Sequence, residues 1–138
     1  MCLWHINKTY RKPSTAIRRA WKIIGKNYDG VWATPFQGKA LRVGEWVVAD
    51  PCVWLQTEEA RHREYTAGFH VYSTRKGAET ALKLLQDSAW VDGRRSGWRV
   101  IEVLVSHVMY EGKDGTSDKL TAIDNLVVQQ MLVPKFAE

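Results

Sequence analysis

Gly68-Phe69-His70-Val71-Tyr72-Ser73-Thr74-Arg75-Lys76-Gly77-Ala78-Glu79-Thr80-Ala81-Leu82-Lys83-Leu84-Leu85 is the stretch on which the fold reading rests. Its first five residues read as a short strand, rich in aromatic and β-branched side chains. Ser73 or Thr74 can then cap a helix running from about Thr74 to Ser88, with Ala78, Ala81, Leu82 and Leu85 as one apolar stripe. That stripe must bury itself. The long apolar surface offered to it is Trp98 to Val105, which alternates well enough for a central strand with apolar residues on both faces. The expected class is therefore α+β, a single mixed or mainly antiparallel sheet with one main helix packed across it.

Working outward, Gly44 to Ala49 reads as a strand ended by Asp50-Pro51, and Asn125 to Val133 as the last strand before Pro134. Asn27-Tyr28-Asp29-Gly30 is a hairpin signal, followed by the strand-like Val31 to Thr34. Asp92 to Gly97 and Gly112 to Gly115 read as turns. Residues 54 to 66, with Glu58, Glu59, Arg61, His62, Arg63 and Glu64, read as an exposed charged loop. Two readings compete near the start. Ile17, Ala20, Trp21 and Ile24 recur at helical spacing from Ser14. Alternatively, a helical turn ends near Arg19 and Trp21 to Lys26 is a strand.

The chain has 138 residues, 45% apolar and 25% charged, which is the composition of one globular domain spanning 1–138. No apolar run approaches the roughly 20 residues of a membrane helix, and the start lacks the apolar core of a secretory signal. A cytoplasmic protein is expected, with Cys2 and Cys52 as free thiols. Nothing here fixes an oligomeric state.

The net charge of +5 is unevenly placed. Residues 1–28 hold Lys8, Arg11, Lys12, Arg18, Arg19, Lys22 and Lys26 with no carboxylate, a local +7. The remaining 13 basic residues face 15 acidic ones, leaving the rest at −2. Such a block favours an anionic partner. Arg11, Lys12, Arg18, Arg19, Lys22 and Lys26 are the candidate contacts. Of the seven tryptophans, Trp4 and Trp32 join them, since both lie near the basic end or its hairpin, where an exposed indole would stack on a nucleic-acid base or anchor a protein interface. A solvated basic face and a buried indole are the plainer readings.

His70 lies on a strand just before a helix start, where an imidazole can bind an anion or move a proton. Ser73 and Thr74 can hold a phosphate with free helix amides, although capping is their commoner work. Cys2, His5, Cys52, His62, His70 and His107 show no metal-binding spacing, and no nucleophile-elbow motif is present. No metal, cofactor or catalytic residue is assigned, and the balance leans away from an enzyme.

Met1-Cys2-Leu3, Trp21-Lys22-Ile23-Ile24, Thr34-Pro35-Phe36-Gln37, Gly44, Gly68-Phe69-His70 before a helix containing Ala78, Glu102-Val103 and Tyr110-Glu111-Gly112 together resemble small proteins carried by phages and bacterial mobile elements. The resemblance covers most of the chain in words of three or four residues. It implies a strand at Trp21 and an accessory role in the contest between phage and host, as an anti-CRISPR-like inhibitor that occupies a surface of a host protein or nucleoprotein. A fainter resemblance is to the ADP-ribosyltransferase and RNA 2′-phosphotransferase fold. It rests on His70 to Thr74, the helix that follows, Val100 to Val105 and Val127 to Pro134, and implies nucleotide or NAD binding by His70, Tyr72, Ser73 and Thr74. Those transferases use a glutamate near the last strand, where this chain has Gln129 and Gln130. A neutral amide cannot stabilise an oxocarbenium-like charge, so the resemblance implies binding more than transfer. Nucleic-acid binding by the basic segment is the third expectation.

Overall fold

The computed structural model describes residues 3, 5–26, 30–34, 41–49, 54–57, 64–66, 68–86, 96–114 and 123–135. In chain order the elements are β1 (His5–Ser14), β2 (Arg18–Lys26), β3 (Trp32–Ala33), β4 (Trp46–Val48), β5 (Trp54–Gln56), β6 (Glu64–Thr66), β7 (Phe69–Tyr72), α1 (Arg75–Gln86), β8 (Ser96–Asp114) and β9 (Ile123–Leu132).

The 19-residue strand β8 organises the sheet. Along one edge it takes β2, from Lys26↔Ser96 to Arg18↔Val105, and then β1, from Ser14↔Val108 to His5↔Lys113. Along the other edge it takes β9, from Leu104↔Leu132 to Asp114↔Ile123. Strand β7 pairs with β9 over Phe69 to Tyr72 and meets β2 at Trp21↔Tyr72. The path β8–β2–β7–β9 therefore returns to β8 as a closed ring, with β4 continuing along β9 and β3 forming a hairpin with β2. Every pairing between the named strands is antiparallel. The expected mainly antiparallel sheet with a helix across it is what the described residues form, with strand strongly predominant.

Side-chain alternation assigns the faces. Ala20, Ile24, Phe69, Val71, Ile101, Val103, Val105, Leu126 and Val128 fill the interior of the ring. On the outside, α1 lays Ala78 and Ala81 over Ile23, Tyr72 and Ile123, with Leu82 and Leu85 packed at the margin. The anticipated stripe is the buried one. Elsewhere outside, Tyr65 on the β5–β6 hairpin covers Leu3, Ile6, Met109 and Val127.

One residue bends β8. His107 takes a φ of 59°, a left-handed conformation that costs a non-glycine residue about 1–2 kcal/mol. Its effect is to let Val105 and Val108, three positions apart, both reach the inner cluster. Ser106 Oγ braces the corner between β1 and β2, donating to the Thr15 carbonyl at 3.0 Å and lying 2.9 Å from His107 Nδ1.

Several local expectations change. Arg18 and Arg19 belong to strand β2, so neither the longer helix from Ser14 nor a helical turn near Arg19 forms. β1 was not anticipated. The stretch 54–66 is not simply an exposed loop, because Trp54 to Gln56 pairs with Glu64 to Thr66 and Tyr65 is fully buried. Gly112 lies inside β8 rather than at a turn, and so do Ser96 and Gly97. Residues 27–29, 87–88, 92–95 and 115, on which the hairpin tip, the helix end and parts of two turns were expected, lie outside the described residues.

Candidate functional site

The basic segment, continuous in sequence, is divided by the fold among four environments. Between Thr9↔Tyr110 and Ser14↔Val108 the register of β1 slips, so that Tyr10 to Pro13 stand opposite Met109 alone. Tyr10 turns in against the core, and Arg11 and Lys12 project exposed from this bulge. Lys8, also exposed, places Nζ 4.5 Å from the Tyr10 ring centroid. Arg18 and Arg19 occupy the second environment, facing Glu111 at 3.9 Å and Glu102 at 3.2 Å from β8. Exposed pairs of this kind contribute about 0–1 kcal/mol.

Lys22 is the third case. It shares the inner face of β2 with Ala20 and Ile24, is only 8% exposed, and donates from Nζ to the His70 carbonyl at 2.7 Å. It is therefore no part of an outer basic surface. In the fourth environment, Lys26 Nζ lies 4.9 Å from the Trp32 ring centroid and Arg99 Cζ lies 5.2 Å from it. Trp32 is 6% exposed, so it belongs to the core and presents no open stacking platform. Trp4 lies outside the described residues. Arg99 escaped the sequence reading because nothing local links it to Lys26; only the β2–β8 register, with Ile24↔Arg99, brings them together.

His70 enters a chain of hydrogen bonds. Leu3 N–H donates to Tyr65 Oη at 2.8 Å, which leaves the phenol proton for His70 Nε2 at 3.2 Å. Tyr65 also meets the imidazole edge-on, with centroids 6.0 Å apart, and Tyr110 in the same manner at 5.6 Å. Burial holds the His70 pKa down to about 3, helped by the positive charges of Lys22 and the chain terminus; a hydrogen bond with the Gly68 backbone opposes the shift. The neutral imidazole is thus the form the fold keeps, with Nε2 as acceptor. Such a group can accept a hydrogen bond at neutral pH and cannot supply a proton there.

The other residues of the nucleotide-binding expectation have separate surroundings. Tyr72 packs under α1, whereas His70 sits with Tyr65. Thr74 caps the helix: Gly77 N–H donates to its Oγ1 at 3.0 Å and Ala78 N–H to its carbonyl at 3.1 Å. Ser73 N–H reaches the Asp124 carbonyl at 3.4 Å. Gln129 and Gln130 are half-buried on β9, and the Gln129 carbonyl takes the Ala49 N–H at 2.8 Å. Among the described residues, no three His, Cys, Asp or Glu side chains cluster as metal ligands, and no helix is long and apolar enough to cross a membrane. No family model, curated protein or solved structure matches the chain.

Proposed function

We propose that this chain is a small phage or mobile-element accessory protein of anti-CRISPR-like role, which binds an anionic surface of a host protein or nucleoprotein without turning it over. The observation that carries the reading is the Arg11–Lys12 bulge. It stands on the outer strand of the sheet, both side chains are exposed, and Lys8 adds a third cation on the same strand. Charges so placed steer an anionic partner and set its association rate. Bulges, lysines and prolines on an edge strand also discourage strand addition, so side-chain contact is the mode this edge supports.

The test is reversal of charge at Arg11→Glu and Lys12→Glu together, scored by quantitative capture of partners from host lysate and by protection of phage in infected cells. A drop of at least about tenfold in captured partner, with unchanged thermal stability, is expected if two charge-assisted contacts are lost. Equal capture and equal protection by the reversed variant would make the bulge a solvated face. Lys22 is unsuited to this test, because a reversed charge there would be buried.

A further inference from the structure

Directly paired residues of a sheet point to the same face, so the register alone places a row of side chains across four strands. Trp46 on β4 stands opposite Leu132 on β9, Leu132 opposite Leu104 on β8, and Leu104 opposite Arg19 on β2. The row lies on the outside, because its neighbours Val47, Met131, Val103, Val105 and Ala20 turn in to the core. Helix α1 packs on the outer face further along, with Ile23, Trp98 and Val100. At the row itself, Trp46 is 41% exposed and Val48, two residues on along the same face, 56%. Leu104 and Leu132 are half-buried and Arg19 is exposed.

The order of groups in the row makes it complementary to itself. When one copy is turned about a two-fold axis running along the strands between β8 and β9, its Trp46 meets the other copy's Arg19 and its Leu132 meets the other copy's Leu104. A guanidinium on an indole face is a cation–π contact, and the Glu45 carboxylate next to Trp46 is a second attraction for it. Each end of the row carries both signs, Arg42 with Glu45 at 3.6 Å near β4 and Arg19 with Glu102 at 3.2 Å near β2. This face is therefore balanced in a chain of net charge +5, which suits a second copy better than an acidic partner. The two ends of the sheet path also differ. β1 carries Lys8, Arg11, Lys12 and Pro13, residues that discourage a neighbouring chain, and Trp46 to Val48 on β4 carry none of these.

We infer that two copies of this chain associate face to face through Trp46, Val48, Leu132, Leu104 and Arg19. Four strands at about 4.8 Å make a face roughly 14 Å wide, small beside a standard interface, so the dimer is a weak one that dissociates in the micromolar range. The inference is independent of the Arg11–Lys12 reading, and either can fail alone.

The experiment is sedimentation velocity on the full chain, from about 5 to 500 µM and at about 150 and 500 mM NaCl. The dimer share should rise with concentration and be no lower at the higher salt, which screens the repulsion between two chains of +5. Trp46→Lys, which sets a like charge against Arg19 of the other copy, should weaken association by at least about tenfold. Val48→Lys gives a second test of the same face. Arg19→Glu added to Trp46→Lys should restore the dimer, because the two new charges attract across the axis. Leu84→Lys, the same change of charge on an exposed leucine of α1, should leave association unchanged. Thermal melts confirm beforehand that each variant is folded. A monomer throughout would overturn the assignment and leave the face to a foreign partner. So would a dimer lost at the higher salt, one indifferent to both lysine substitutions, one equally disrupted by Leu84→Lys, or a double variant no better than Trp46→Lys alone.

Discussion

Tyr65→Phe tests the buried hydrogen-bond chain with the least disturbance of packing. Phenylalanine keeps the ring, and with it the edge-on contacts to His70 and Tyr110. What is lost is one oxygen, which accepts from Leu3 N–H at 2.8 Å and donates to His70 Nε2 at 3.2 Å. Tyr65 is 0% exposed, so water cannot easily take its place. Leaving a buried donor or acceptor unsatisfied costs about 1–3 kcal/mol each. Two such groups, one on a partly exposed histidine, give an expected loss of about 2–4 kcal/mol, a large share of the roughly 5–15 that hold a domain together. Urea titration should show a lower midpoint with an unchanged slope. His70→Phe added to Tyr65→Phe should cost less than in the parent, because its partner is already gone. A Tyr65→Phe loss below about 0.5 kcal/mol would refute the reasoning, since the hairpin would then not seal the cluster.

His70 binds a proton below pH 6.5 in the unfolded chain and only near 3 in the fold, so stability is fully present above 6.5 and falls as the pH drops toward 3. The slope in that window should approach about 1.4 kcal/mol per pH unit, and His70→Gln should flatten it in urea titrations between pH 7 and 5. On α1, Leu82→Asp should destabilise by several kcal/mol, of order 2–4, because the side chain packs against the Ile23–Tyr72 cluster. Leu84→Asp, at a position 41% exposed, should shift the same measurement by less than about 0.5 kcal/mol. Gly112→Ala would place a Cβ 2.2 Å from the His5 carbonyl oxygen, so amide exchange along His5 to Thr9 should lose protection as β1 detaches from β8.

Local signals carried about half of the architecture. The Ala78–Leu85 stripe, β7, β9 and the inner part of β8 were legible because their apolar residues recur at one period and are bounded by capping or turn residues. β2 was ambiguous because Ala20, Trp21 and Ile24 satisfy helical spacing as well as alternation. The choice between them is made by the β8 partner, far along the chain. β1 was hidden by its own bulge, which sets Arg11, Lys12 and Pro13 where alternation would call for inward residues. Charges around Tyr65 masked the hairpin, since a single buried tyrosine between polar neighbours leaves no period. The basic segment was readable as a charge total and not as a surface. Lys22 turns inward, Arg18 and Arg19 meet carboxylates from β8, and Lys26 finds Arg99, each through strand pairing that no local pattern encodes.

The dependence of both β1 and β2 on β8 also dictates a timetable for synthesis. β2 is complete at Lys26 and its partner begins at Ser96, about 70 residues later; at about 5–20 residues per second the emerging strand waits roughly 4 to 14 seconds. Until then Ile23 and Ile24 have beside them the short β3 hairpin and, once they emerge, the single β7 contact at Trp21↔Tyr72 and α1, and the ring cannot close before β9 follows. Folding of this chain is therefore a late, concerted event at the ribosome exit or after release. A nascent chain stalled before β8 lacks the partner of β1 and of nearly all of β2, and presents apolar strands to chaperones and proteases instead.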